Sequence, residues 1–145
     1  WPNDIMAGNQ KIAGILIENL IKENGEIKSI VWIGLNVNQT DFENLPKASS
    51  LKNRMNQDFD IDSILENIVH KIEENVVKLQ NNEADFFWKT YENHLFKKGK
   101  PNLCEAKQEQ IMGIIQGVTR NGMLTIQLED DSIKEFGVKE IVMIY

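Results

Sequence analysis

Four residues near the start of the chain have side chains suited to handling anions: Asn3, Asp4, Lys11 and Asn36. A carboxylate such as Asp4 can hold a divalent cation that also binds phosphates. A lysine is a compact positive charge that can face a carboxylate and then a developing negative charge. An asparagine offers a donor and an acceptor to a purine or phosphate edge. Lys11 stands just ahead of the apolar run Ile12–Ile17, and Asn36 closes a second apolar run, Ile27–Leu35. If those runs pair as a hairpin, Lys11 and Asn36 lie at one end of a sheet, where ligand sites are common. Ala13 and Gly14 agree with this, since glycine within a strand often marks close approach by a ligand or a backbone. A plainer interpretation competes: Pro-Asn-Asp is an ordinary turn sequence, and a lysine ahead of a strand is usually solvated.

The elements that would position these residues follow from periodicity. Residues Ile12–Asn19 and Ile27–Leu35 are rich in Ile, Val and Leu, with Asn24-Gly25 between them. Asn-Gly is a strong hairpin signal because both residues tolerate positive φ. Both arms are apolar on both faces, which predicts a covered sheet rather than a wet surface. Residues 37–60 are polar and include Pro46, so a long loop is expected there, of the kind that closes over a ligand. From Ile61 the period becomes helical: Ile61, Ile64, Leu65, Ile68, Val69, Ile72 and Val76 share one face, with Asp60 as the cap. This helix is expected to cover one face of the hairpin. A second helix carries Ala84, Phe87, Trp88, Tyr91 and Leu95 inward, an aromatic stripe that suits a core better than a ligand cage.

The stretch KKGKPN, Lys97–Asn102, has no apolar residue and is punctuated by Gly and Pro, which marks a boundary. Two domains are expected, residues 1–98 and 103–145. The second half alternates as short strands, with a turn at Asn121-Gly122, a break at Asp130–Ser132 and a bend at Gly137. Four or five strands in so short a span predict a small SH3-like barrel. The fold class is therefore α+β: a partial mixed or antiparallel sheet with helices, followed by the small barrel.

Composition narrows the function classes. The chain has 145 residues, 41% hydrophobic and 26% charged, the balance of a globular protein. Its net charge of -6 is scattered, which argues against nucleic-acid binding, a function that needs clustered Lys and Arg. Apolar runs fall far short of the roughly 20 residues that span a bilayer. No leader pattern opens the chain, and its single cysteine, Cys104, cannot form an internal disulfide, so a reducing cytoplasmic location is expected. Cys104 has no neighbouring His or second Cys and is expected to be a structural thiol. His70 and His94 lack paired ligand spacing, so no zinc site is predicted. There is no Gly-rich phosphate loop, no Gly-x-Ser-x-Gly elbow and no Cys-His pair.

In order along the chain, WPNDI, KIAGILIE, IGLNVN and ASSL closely resemble the catalytic domain of biotin–protein ligases. The terminal GIIQGVTRNGMLTIQL and FGVKEIVMI resemble the SH3-like domain that ends those enzymes. The resemblance covers nearly the whole chain and is weakest between Lys52 and Asn102. It implies an ATP-dependent ligase that converts biotin to biotinyl-5'-AMP with release of pyrophosphate and then transfers biotin to a lysine of a biotin carboxyl carrier protein. It implies a catalytic role for Lys11 at the biotin carboxylate and the α-phosphate, and a biotin slot lined by Lys11, Gly14, Leu16 and Gly34. It also implies that Asn3, Asp4 and Asn36 hold ATP and the adenylate, that Asp4 meets Mg²⁺ through the phosphates, and that the loop after Val37 orders over the adenine.

Two departures from the family pattern have consequences. Trp32 stands where these ligases usually carry glycine. The Gly- and Arg-rich loop, several sheet strands and the lysine before WPND lie earlier in the family's catalytic domain. This chain is therefore expected to start mid-domain, to be inactive alone, and to self-associate through an exposed sheet edge. Two other classes stay open: a lipoate or octanoate transferase of the same superfamily, and a non-catalytic interaction module.

Overall fold

The structure is a computed structural model that describes residues Trp1–Tyr145. It is an α+β protein with two antiparallel sheets and three helices. Its two compact units are Pro2–Val69 and His70–Tyr145, the latter joined by Trp1. No helix is long and apolar enough to cross a membrane.

The first unit holds a three-stranded sheet in the order β1 (Asp4–Ala7), β2 (Gln10–Ile21), β3 (Ile27–Leu35). The predicted hairpin is β2–β3, in register from Ala13↔Leu35 to Ile21↔Ile27. Its turn differs from the expected one. Gly25 alone has positive φ, +80°, and Asn24 instead accepts the Glu26 N–H through Oδ1 at 3.1 Å. Gly25 N–H donates to Lys22 O and Lys22 N–H to Glu26 O, both at 2.9 Å. This is a three-residue loop in which glycine takes the left-handed position. Asn121-Gly122 repeats it: Gly122 N–H reaches Thr119 O, Thr119 N–H reaches Met123 O, and Gly122 has φ +81°. Asn-Gly thus marks both turns correctly, but glycine alone supplies the left-handed residue.

The expected cover of this hairpin is not present. Eight of nine β3 residues are exposed, among them Ile30, Val31, Trp32 and Ile33. Helix α2 (Ile61–Gln80) forms as predicted, but it buries no residue, and Leu65, Val69, Ile72 and Val76 along its apolar face stay exposed. Asp60 does cap it: Oδ1 accepts the Asp62 N–H at 3.3 Å and Oδ2 the Ser63 hydroxyl at 2.6 Å. Apolar content on both faces of a strand states a need for cover without naming the element that supplies it. The region 37–60 is also more ordered than a plain loop. It contains α1 (Leu51–Met55), capped by Ser50, whose Oγ accepts the Asn53 N–H at 3.1 Å.

The second unit carries α3 (Ala84–His94) and a five-stranded sheet ordered β7 (Ile133–Phe136), β6 (Leu124–Leu128), β5 (Glu109–Val118), β4 (Pro101–Ala106), β8 (Ile141–Ile144). All its pairings are antiparallel, and β7 and β8 are free edges, so hydrogen bonds do not close it into a barrel. Its core is Leu95, Cys104, Ile115, Val118, Leu124, Ile126 and Ile141, with Trp88 packed against them. Cys104 is 1% exposed, and burial raises its thiol pKa despite the nearby Lys97 charge. It is the structural thiol that its sequence context suggests. The inner stripe of α3 does belong to a core, through Trp88 and Leu95. Arg120 stacks over Trp88 at 4.6 Å and pairs with Asp85 at 2.7 Å.

Candidate functional site

The start of β2 is irregular, and that irregularity builds the site. Opposite β1, Asp4 pairs with Gly14 and Ile5 with Ala13, but Met6 pairs with Lys11. Ile12 is therefore an extra residue in β2, a bulge, and bulges re-aim side chains. Without it, Lys11 would share the face of Ala13. With it, Lys11 lies over Gly14: a β-carbon there would sit 3.5 Å from both Cε and Nζ of Lys11. Asp4, directly across from Gly14, meets the ammonium at 2.5 Å. The pair is only partly screened, with Lys11 47% and Asp4 29% exposed. Burial raises the Asp4 pKa, but nearby positive charge, first among it Lys11, outweighs that and holds the carboxyl below its ordinary value.

On the other side of β2, Gly14 pairs with Gly34. A β-carbon at Gly34 would find nothing within 4 Å. Two facing glycines leave a bare strip of sheet, with the Lys11–Asp4 pair at one end and Leu16 and Trp32 as the next pair along it.

Asn3 and Asn36 fix the edges. Asn3 is tied to β2 twice: Nδ2 donates to Ile15 O at 2.7 Å, and the Ile15 N–H donates to Asn3 O at 2.8 Å. The Asn36 N–H donates to Ile12 O, while Nδ2 donates to Ser49 O, both at 2.9 Å. The structure therefore brings Asn3, Asp4, Lys11, Gly14, Gly34 and Asn36 to one end of the sheet, with Leu16 one pair further along β2.

The ASSL motif, Ala48–Leu51, belongs to the resemblance, but nothing in the sequence showed that it pairs with Lys11. Lys11 forms a parallel bridge with Ala48, its N–H donating to Lys47 O at 2.7 Å and its carbonyl accepting the Ser49 N–H at 2.9 Å. Both Ser49 and Ser50 are buried. The backbone of Lys11 is thus locked on this side while its side chain stays open. Asn38 adds a clamp: Nδ2 donates to Phe59 O at 2.8 Å, and the Phe59 N–H donates to Asn38 Oδ1 at 3.0 Å. This fastens the base of the 37–60 region. A serine directly before Leu51-Lys52-Asn53 is a helix-cap signal that could have revealed α1.

No cluster of three or more His, Cys, Asp or Glu residues could hold a metal ion alone. The donor set suits a cation that arrives already bound to phosphates, since Mg²⁺ commonly takes one or two carboxylates and keeps its remaining positions for substrate and water.

Among solved structures, the fold is similar to biotin protein ligases. The apo enzyme from Aquifex aeolicus matches with TM-score 0.75 and 27% identity, over 99% of this chain and 63% of that one. A second crystal structure of that ligase gives TM-score 0.77 and 28% identity over the same shares. The Aquifex aeolicus enzyme in complex with biotin and ATP gives TM-score 0.74 and 26% identity, over 99% of this chain and 60% of that one. No family model matches the sequence. The chain is an α+β protein with the fold of biotin protein ligases, and the resemblance carried by its motifs is matched in three dimensions. It spans less than two thirds of the length of those ligases.

Proposed function

We propose that this chain carries the lysine side of a biotin protein ligase site. The observation that carries the proposal is the bulge at Ile12, which places the Lys11 ammonium over Gly14, whose pair across the strands is Gly34, beside the Asp4 carboxylate. A carboxylate lying across Gly14 and Gly34 would meet Lys11 directly. Attack of its oxygen on the α-phosphorus of ATP forms the mixed anhydride biotinyl-5'-AMP and releases pyrophosphate. Repulsion between the two anions opposes that step, and Lys11 lowers it by neutralising both. One preorganised donor of this kind contributes about 3–4 kcal/mol. In the second step a carrier lysine attacks the acyl carbon and AMP leaves.

Asp4 then has two partners. It holds Lys11 in this structure, and with ATP bound it would be the carboxylate that holds a phosphate-bound Mg²⁺. Mg²⁺ would supply further neutralisation of the phosphates. Asn3 supports the same corner, and Asn36, whose Nδ2 is engaged by Ser49, offers Oδ1 to the adenylate. The 37–60 region, held at its base by Asn38 and Phe59, closes over the adenine and keeps water from the anhydride. The functional division runs as 1–98 and 103–145, with an SH3-like second part. The exposed β3 edge is a surface for self-association, and the protein works in the cytoplasm on a biotin carboxyl carrier protein. Isolated, the chain forms no biotinyl-5'-AMP.

Titration of ¹⁵N-labelled protein with biotin tests this. The amides of Lys11, Gly14, Gly34 and Asn36 are expected to shift together. The same shifts with octanoate and not biotin would favour an acyltransferase. No shift with either acid at millimolar concentration would leave a non-catalytic module as the better account.

A further inference from the structure

We propose that Trp32 is a ligand-contacting, specificity-determining residue that forms, with Leu16, the apolar wall of the glycine strip. The proposal rests on the biotin reading of the same site. Strand alternation puts Gly14, Leu16 and Glu18 on one face of β2, and Gly34, Trp32 and Ile30 on the same face of β3. The register pairs Gly14 with Gly34, Leu16 with Trp32, and Glu18 with Ile30. The bare floor is therefore bounded directly by an indole and an isobutyl group. Both are open, Trp32 at 60% and Leu16 at 52% exposed.

The indole is also oriented. Its Nε1–H donates to Glu18 Oε2 at 3.3 Å. Glu18 is the diagonal neighbour on the side away from the glycines, so the hydrogen-bonding edge of the indole is held there. An aromatic ring restrained in this way gives a flat apolar contact at little entropic cost.

Distance selects the ligand class. Lys11 Nζ lies over Gly14, while Trp32 is one strand across and two residues along. With a rise of about 3.3 Å per residue and about 4.8 Å between strands, the backbone positions of Gly14 and Trp32 are about 8 Å apart. A carboxylate joined by a short methylene chain to a compact ring spans this gap, with its charge at Lys11 and its ring on the indole. A straight-chain acid of similar length places only a flexible tail at the wall. Trp32 thus favours ring-bearing acids over linear ones.

The test uses the full chain with Trp1→Phe and Trp88→Phe, which leaves Trp32 as the one remaining tryptophan. Saturating biotin is expected to shift the Trp32 emission to the blue, and octanoate to leave it nearly unchanged. Separately, Trp32→Ala is expected to weaken biotin at least tenfold and octanoate less than threefold, with Trp32→Phe recovering most of the biotin affinity. Circular dichroism should be unchanged, because the side chain is exposed. Biotin binding to Trp32→Ala at wild-type affinity would overturn the role of Trp32 and leave the biotin reading standing. Failure of the wild-type chain to bind biotin at all would overturn that reading, and this inference with it.

Discussion

In the five-stranded sheet Ile115, Leu124 and Ile126 are fully buried, whereas in the three-stranded sheet Ile17, Ile21, Val31 and Ile33 are between 40% and 75% exposed. The residue types are the same, and their environments are opposite. The five-stranded sheet packs its own strands, with Trp88 of α3, into a core. The three-stranded sheet is open on both faces: Ile17, Ile21, Val31 and Ile33 lie on one, while the other, where Leu16, Ile30 and Trp32 are also exposed, carries the glycine strip and the Lys11–Asp4 pair. The buried core and the proposed ligand site thus lie in different sheets. The open sheet can spare side chains at Gly14 and Gly34 because little packing depends on that face.

The largest expected effect probes the buried side of this contrast. Leu124→Ala should destabilise the His70–Tyr145 unit by about 2–5 kcal/mol, through lost burial and the cavity left behind. Ile17→Ala in the open sheet should cost less than about 1 kcal/mol, because so little of its surface leaves water. Denaturant melts of the two variants check this, and equal costs would break the comparison.

A middling effect is expected at Gly113. A β-carbon there would overlap Ile126 Cγ2 and crowd Gln127 O at 3.1 Å. Gly113→Ala should cost about 1–3 kcal/mol by overpacking. Gly34→Ala, where a β-carbon meets nothing, should leave the melting temperature almost unchanged and weaken biotin instead. Thermal melts beside biotin titrations separate the two glycines.

A smaller effect concerns the open edge. Ile30→Lys should change folding stability by no more than about 0.5 kcal/mol, as exposed substitutions usually do. It should nonetheless reduce self-association, because a lysine on an edge strand discourages pairing with another chain. Sedimentation of the wild type and the variant over a concentration series reads this.

The smallest effect concerns acid. The Asp4 carboxyl is held below its ordinary value, so its ion pair stabilises the β1–β2 corner above the unfolded aspartate range of about 3.9. That contribution is lost as pH falls through the depressed folded value. Carboxyl NMR should place the Asp4 midpoint below 3.9 in the wild type, and higher in Lys11→Ala, where only the N-terminal ammonium still opposes burial.

The hairpin, both long helices and the strand-rich second half were legible, because each rests on local periodicity or on turn chemistry such as Gly25 and Gly122. The gathering of Lys11 and Asn36 was legible too, since hairpin pairing alone brings those ends together. The bulge at Ile12 was not. One extra residue in a ladder leaves the apolar pattern unchanged, yet it decides which face Lys11 occupies. The bridge at Ala48 was equally hidden, because three residues of pairing in a polar region leave no period to detect. The cover expected over β3 failed for a different reason: composition tells how apolar a strand is and says nothing about its partner.

The central claim is that Lys11, set over Gly14 by the bulge, receives the carboxylate of biotin. The most direct measurement is the biotin dissociation constant of the wild-type chain against Lys11→Ala and Lys11→Arg, with circular dichroism confirming the fold of each. Loss of binding by tenfold or more in Lys11→Ala, with little recovery in Lys11→Arg because the wider guanidinium cannot replace a compact ammonium, is the predicted result. Biotin affinity unchanged in Lys11→Ala would contradict the account and leave Lys11 as an ordinary solvated lysine beside Asp4.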